Sequence, residues 1–273
     1  MDPLVSIIVP TYNEERNIAK CLENISNQDC KNLEIIVVDN FSKDRTLFLA
    51  KRYTSKCFRR GKERSAQRNF GAQKAQGRWL FFVDADQKVS PKLVSRCTEK
   101  IKNDKKVKAL IIAESTSGEN FWSKCRDFEK RIYFGDNFVE AARFFDKCTF
   151  FQLGGFDELL VAGEDWDLTA RLKAKKYKVE RISTPLINFG EITLFSAAKK
   201  KFYYGQKIGR YIAKNPELVK KQLSLIRFTS YLNPRLFPKQ PILALGLLVL
   251  KTVEFVSGAA GLLYGKISKE KIT

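Results

Sequence analysis

Short apolar runs that stop abruptly at polar residues alternate with stretches of helical periodicity through the first part of this chain. Residues 5–11 (VSIIVPT), 33–39 (LEIIVVD) and the run opening at Trp79 (WLFFV) are rich in β-branched or aromatic side chains, which predicts strands buried on both faces. Between the first two, residues 13–28 carry Ile18, Leu22 and Ile25 at helical spacing, with Asn13 or Asn17 as the N-cap. A second helical stretch, 65–76, leads into the third run. Strand, helix, strand, helix, strand is the order of a parallel sheet with right-handed crossovers. The fold class this predicts is α/β, a Rossmann-like, doubly wound and mostly parallel sheet. Further on, residues 107–113 read as another strand, 115–119 as a flexible loop and 166–176 as a helix.

Each of the first three runs ends in polar groups: Thr11 after Pro10, Asp39, and Asp84-Ala85-Asp86. Open α/β sheets bind ligands at the carboxyl ends of their strands, and ionised carboxylates are costly to bury unpaired. Two aspartates spaced i, i+2 at such a place suit a hard divalent cation, Mn2+ or Mg2+, which takes oxygen ligands. Such a cation holds the diphosphate of a nucleotide-sugar. Taken alone, the spacing fits a strand end that meets water equally well. Three polar strand ends facing one crevice favour the nucleotide site.

The ordered set of motifs resembles the family-2 glycosyltransferases, which have the GT-A fold. It comprises P-T-Y-N-E at 10–14, the strand ending in Asp39, R-N-F-G at 68–71, D-A-D at 84–86 and G-E-D-W-D-L at 163–168, spaced over roughly residues 4–190. The resemblance implies transfer of a sugar from a UDP- or GDP-sugar with inversion at the anomeric carbon. It also implies a donor pocket lined by Pro10, Thr11, Glu14, Asp39, Arg68, Asp84, Ala85 and Asp86, with Asp39 on the base, Asp84 facing the ribose and Asp86 on the metal. Asp165 is then the general base and Glu164 a supporting acceptor contact. The plainer readings are a solvated basic helix face for Arg68, and for the acids at 164–167 a helix N-terminus, where the dipole favours negative charge. Asp167 is expected as a cap or as a partner of Arg171, and the G-G-F-D turn at 154–157 as a tight approach to the sugar.

The chain departs from the family pattern in three ways. Asn40 follows Asp39 where many members have a second acid. No histidine occurs anywhere, although many members use one beyond the E-D pair, and Asn188 or Glu191 falls near its place. The Q-x-x-R-W signature of processive synthases is absent, which favours single transfer.

Composition extends the picture. At 273 residues and 44% apolar content the chain is long enough for one large domain and an appendage. The expected division is a catalytic domain over 1–194 and a membrane-associated tail over 195–273. Six cysteines without C-x-x-C pairs point to a reducing compartment. The chain enters its first strand without a signal peptide, so the cytoplasmic face of the cell membrane is the expected location. Net charge is +20, and residues 195–273 hold 15 Lys/Arg against 3 Asp/Glu, or +12. A non-catalytic nucleotide-binding protein and a basic nucleic-acid-binding protein are the rival classes. A nucleotidyltransferase would need a glycine- and lysine-rich phosphate loop that 10–15 lacks. No nucleic-acid reader motif is present, and the tail reads otherwise.

In that tail Phe195, Ala198, Phe202, Gly205, Ile208 and Ile212 share a helical face, with lysines and Arg210 around them, as suits an anionic membrane surface. Residues 241–265 reach the roughly 20 residues that a membrane span requires. Lys251, Glu254, Gly258, Gly261 and Gly265 repeat at intervals of three and four, so they line one face. The charges can pair there, and the glycines admit a close partner, either a second copy of the chain or the preceding helix. The reading is a helix lying in or partly entering the membrane; a full span and a soluble core helix are its competitors. A cytosolic, membrane-held transferase would meet a lipid-linked acceptor.

Overall fold

Alternate residues of the first strand face different helical layers, which is what an apolar run without polar alternation requires. In the computed structural model, which describes residues 3–222 and 239–270, β1 (Val5–Thr11) is buried along its whole length. Ile7 and Val9 pack with Ile18 and Leu22 of α1 (Ile18–Ser26), while Ile8 packs with Ala72 of α3 (Arg64–Lys74). β2 (Leu33–Asp39), α2 (Thr46–Ala50), β3 (Cys57–Arg59), β4 (Trp79–Phe82), β5 (Gln87–Val89) and α4 (Leu93–Asn103) follow in the same alternating style. They are succeeded by β6 (Val107–Thr116), α5 (Phe121–Tyr133), β7 (Ala142–Asp146), α6 (Lys147–Gln152), α7 (Glu164–Ala174) and β8 (Lys178–Asn188).

Among the described residues the strands form one sheet in the order β3-β2-β1-β4-β7-β6-β8-β5. β1 pairs in parallel with β2 and β4, and β2 with β3, whereas β7 runs antiparallel to both β4 and β6. The chain leaves β1 for β2 on one side and returns to β4 on the other. A crevice therefore opens at the carboxyl ends of these three strands, where Thr11, Asp39 and Asp84 stand.

Contacts divide the chain into two compact units: residues 1–114, 140–158 and 164–189 in the first, and 115–139, 159–163 and 190–273 in the second. The second unit thus takes in α5 and a short link before α7, segments whose own sequence carries no mark of that grouping. It also contains α8 (Leu194–Lys207), α9 (Gly209–Lys214), α10 (Pro216–Gln222) and α11 (Pro241–Glu270). Of the basic tail, residues 223–238 and 271–273 lie outside the described residues.

Inside the second unit, α11 lies against α8 so closely that a Cβ at Gly261 would stand 2.1 Å from the Phe202 carbonyl oxygen. The Lys251–Glu254 pair forms (2.7 Å), and both residues also engage α5, Lys251 through Glu129 (2.8 Å) and Glu254 through Arg126. On α8, Ala197 and Gly205 are buried, whereas Phe195, on the face the sequence turns to a membrane surface, is 78% exposed. Small residues, which let two helix backbones touch, decide the buried side in preference to bulk.

Candidate active site

The site begins where the loops after β1 and β2 are stitched together. Asn13 and Phe41 adopt left-handed backbone conformations (φ 53° and 54°). Asn13 N donates to Ser42 Oγ (2.8 Å), and Asn13 Oδ1 accepts from Lys43 N (2.9 Å). Thr11 and Asp39 are register partners, and Asn40 N donates to the Thr11 carbonyl (2.9 Å). Asp39 is fully buried, and its carboxylate accepts from Ser42 N (3.0 Å) and from the Ser42 hydroxyl. Pro10 lies in the buried strand opposite Val38. The Thr11 hydroxyl is buried without a protein hydrogen-bond partner. Glu14 accepts from Asn17 Nδ2 (2.8 Å), so Asn17 serves this carboxylate and makes no side-chain cap to α1. Burial pushes the Glu14 carboxyl up against the pull of that bond, and repulsion from Asp86, Asp44 and Asp84 adds to the rise.

Arg68 is the centre of the site and is fully buried, not a solvated helix face. Its Nη2 donates to Asp84 Oδ1 (2.7 Å), and its Nη1 to Asp165 Oδ1 (2.8 Å) and Glu164 Oε1 (3.3 Å). The guanidinium lies 5.2 Å from the Phe156 ring centroid. Arg143, on β7, reaches the other oxygens: Nη1 to Asp84 Oδ2 (3.3 Å), and Nη2 to Glu114 Oε1 (3.0 Å) and Asp165 Oδ2 (3.8 Å). Arg64, one turn before Arg68, adds contacts to Asp84 (3.9 Å) and Glu164 (3.5 Å). Burial opposes charge on Asp84, yet Arg68, Arg143 and Arg64 outweigh it and hold that carboxyl far below the ordinary range.

Glu164 and Asp165 occupy the first turn of α7, two residues earlier than the periodicity predicts, because acids extend a helix at its N-terminus. Leu168 and Leu172 anchor that helix in the core layer shared with Ile8. Burial, then the adjacent Asp165, pushes the Glu164 carboxyl up, while Arg64 and Arg68 pull the other way. The G-G-F-D turn is clamped by Asn69, whose side chain accepts from Phe156 N and donates to the Phe156 carbonyl, both at 2.9 Å. Gly155 has φ +67°, and a Cβ there would meet Asn69 Oδ1 at 2.7 Å. Asp167 holds Arg171 (Nε to Oδ2, 2.9 Å), which in turn donates to the Gly155 carbonyl (2.8 Å).

Glycosyl transferase family 2 matches residues 6–158. The chain belongs to that family. It is 27% identical over 204 residues to an uncharacterised glycosyltransferase of Methanocaldococcus jannaschii, covering 68% of this chain and 70% of the relative. Over 105 residues it is 37% identical to a dolichol-phosphate mannosyltransferase of Pyrococcus furiosus, covering 36% of this chain and 30% of that enzyme. The mannosyltransferase PcManGT of Pyrobaculum calidifontis, solved with GDP-Man and Mn2+, superposes with TM-score 0.62 at 18% identity over 99% of this chain and 79% of that one. The fold is GT-A, and this family-2 glycosyltransferase is an enzyme that uses nucleotide-sugar donors.

Within the transferase, Asp84, Glu164, Asp165 and Arg68 form one network, whereas Asp39 and Thr11 form a neighbouring cluster at the ends of β1 and β2. Ala85 is buried between the two aspartates, and the Asp86 carbonyl accepts from Phe189 N (2.7 Å). Asn188 lies in the network: it accepts from Gln87 Nε2 (2.9 Å) and donates to Glu114 (3.5 Å), while Gln87 Oε1 accepts from Asp84 N (3.0 Å). Glu191 instead accepts from Glu119 N (2.8 Å) and Asn120 N (3.0 Å), bonds that hold its carboxyl below the ordinary range and pin the 115–119 loop. Sequence reasoning did not select Arg64, Glu114 or Arg143. Arg64 had a signal, the i, i+4 spacing to Arg68. The two strand residues had none, because their partners come from other elements.

Among the described residues no group of three or more His, Cys, Asp or Glu is arranged to hold a metal by itself. Both oxygens of Asp84 face arginines, and Asp86 is the second carboxylate of the D-A-D. Asp86 stands near enough to Glu14 to help raise that carboxyl, so two acids face the same place. One or two carboxylates plus substrate phosphate oxygens are a common way of holding Mg2+, so the residues fit a cation that binds with its donor.

Proposed function

We propose that this enzyme transfers a single sugar, with inversion, from a UDP- or GDP-sugar to a membrane-borne acceptor, a polyprenyl phosphate or a lipid-linked saccharide, at the cytoplasmic face of the cell membrane. The observation that carries the reading is the pairing of Asp84 and Asp165 through Arg68 (2.7 and 2.8 Å), which brings the D-A-D and E-D motifs together. Thr11, with its unpartnered hydroxyl, Pro10 and Asp39 take the base and ribose side of the donor. Asp84 faces the ribose, and Arg68 and Ala85 border the diphosphate. Asp86 would hold Mn2+ or Mg2+, which when bound would supply Lewis-acid stabilisation of the charge on the departing diphosphate. Asp165 receives the proton of a hydroxyl acceptor as it attacks, and Glu164 orients that hydroxyl. A phosphate acceptor is already ionised and needs no base.

The second unit supports the membrane half of the reading. Residues Pro241–Ile267 are long and apolar enough to cross a membrane. One side of α11 is covered by α8 and α5, however, and bears the Lys251–Glu254–Glu129 ion pairs. The other side exposes Ile242, Leu245, Val249, Val256, Leu263 and Ile267. That one-sided pattern favours a helix lying in one leaflet, with the lysines of 195–273 drawn to anionic headgroups. The dolichol-phosphate mannosyltransferase among the relatives is consistent with a polyprenyl acceptor.

The test is a donor screen. Purified protein and membrane lipid extract are offered labelled uridine-, guanosine- and thymidine-diphosphate sugars, with and without Mn2+ or Mg2+. Metal-dependent transfer of label into solvent-extractable lipid is expected from a uridine or guanosine donor. Label appearing only in water-soluble product would overturn the membrane-borne acceptor.

A further inference from the structure

Asp84 and Asp165 are joined twice, not once. Arg68 contacts Oδ1 of each aspartate, and Arg143 contacts Oδ2 of each, so two carboxylates and two guanidinium groups close a ring. The contacts on Asp165 are unequal. Oδ1 accepts a full hydrogen bond from Arg68 (2.8 Å), whereas Oδ2 lies 3.8 Å from Arg143, an ion pair beyond hydrogen-bond length. Arg143 Nη2 is committed instead to Glu114 Oε1 (3.0 Å). Arg143 itself is only 12% exposed.

We propose that Arg143 is a positioning residue. Held back by Glu114, it fixes the rotation of the Asp165 carboxylate without occupying Oδ2, and so designates Oδ2 as the oxygen that takes the acceptor proton. The inference rests on the reading of Asp165 as base. In the balanced step the acceptor O–H proton passes to Asp165 Oδ2. The acceptor oxygen bonds to the anomeric carbon, the bond from that carbon to the diphosphate oxygen breaks, and the nucleoside diphosphate leaves with the electron pair. Arginine suits this role because its planar fork reaches Asp84 and Glu114 with different nitrogens, which a lysine ammonium cannot reproduce.

The experiment compares wild type with Arg143→Gln, Arg143→Lys, Glu114→Gln and the Arg143→Gln/Glu114→Gln double variant, using the sugar nucleotide and lipid extract that support turnover. It reads kcat, donor KM and the affinity for UDP or GDP by calorimetry, after thermal unfolding has confirmed folding. Arg143→Gln is expected to lower kcat by about 100-fold, the scale of a small misplacement of a reacting group. Donor KM and nucleotide affinity are expected to stay within about threefold of wild type. Arg143→Lys should recover less than about tenfold of the loss. Glu114→Gln should lower kcat with the same unchanged donor KM, and it carries the test if Arg143→Gln does not fold. The double variant should be no slower than Arg143→Gln, since both residues act through one contact. An unchanged kcat, a loss confined to donor KM, or additive losses in the double variant would overturn the proposal. An inactive wild type, or an Asp165→Asn variant as fast as wild type, would instead remove the reading on which it rests.

Discussion

Arg68 Nη2 lies 2.7 Å from Asp84 Oδ1, and the guanidinium that makes this contact is wholly enclosed. A buried cation is tolerable only when its charge is met, and here Asp84, Asp165 and Glu164 all meet it. The pairing therefore joins fold stability to the site, because α3, the end of β4 and the start of α7 are held by one side chain.

Replacing Arg68 with methionine leaves those carboxylates facing one another with one cation fewer. Breaking a buried charge network from one side costs about 3–5 kcal/mol, so the urea midpoint of Arg68→Met should fall substantially. Arg68→Lys keeps a charge but offers a single point where two nitrogens now serve separate aspartates. It should show an intermediate midpoint and a donor affinity below that of wild type.

Asp165→Asn tests the base directly. The amide oxygen can still accept from Arg68 but cannot take a proton from a hydroxyl. Loss of a positioned general base lowers turnover by about 10²–10⁴-fold. Nucleotide affinity measured by calorimetry should be retained. Asp165→Asn with turnover near wild type would point to an acceptor that arrives already ionised.

The parts of the fold legible in the sequence were those set by local pattern. The strands ending at Thr11 and Asp39 were marked by unbroken apolar runs, and α1 by Ile18, Leu22 and Ile25, all of which are buried. The glycine face of α11 was legible from spacing, and it meets α8, the preceding helix in one of the two expected arrangements. The burial of Ala197 on α8 was not legible, because a small residue is marked by how closely it lets a neighbouring backbone approach, not by periodicity. In the site, Asp84, Glu164, Asp165 and Arg68 stood out through motifs. Arg143 and Glu114 did not, since an arginine on a short strand looks like a surface residue until β4 and β7 are placed side by side.

Acid should loosen the support of α3 through Glu34. Its Oε1 accepts from Gln76 N (2.6 Å), Gly77 N (3.0 Å) and the Ser6 hydroxyl, and its Oε2 pairs with Lys56. Burial opposes the charge, but Lys56, Ser6 and the two backbone donors prevail and hold the carboxyl below its usual 4.5. A carboxyl depressed in the folded state lends stability that is fully present above 4.5 and is lost as pH falls through the folded value. Glu34→Gln should therefore be less stable than wild type at neutral pH. The difference between the two urea midpoints should shrink on acidification below about pH 4. A difference independent of pH would show that the carboxylate charge is not what holds the loop.

The exposed side of α11 should be the surface that binds lipid. Leu245 and Val249 are 57% and 48% exposed and belong to none of the buried clusters, so aspartates there spare the core. Moving the exposed half of each apolar side chain out of water is worth about 1 kcal/mol, and a charge in its place adds to the loss. Leu245→Asp/Val249→Asp should thus reduce co-flotation with vesicles containing anionic lipid by more than about tenfold. Its thermal midpoint should match that of wild type. Neutralising the exposed Lys199, Lys200 and Lys207 should weaken binding by about 1 kcal/mol per residue near the surface. That loss should vanish on zwitterionic vesicles or at high salt, where the apolar contribution alone persists. Equal flotation of wild type and the double aspartate variant would place the lipid contact elsewhere on the chain. Loss of flotation without loss of transfer to a water-soluble acceptor analogue would separate attachment from catalysis, as a membrane-held but internally complete active site requires.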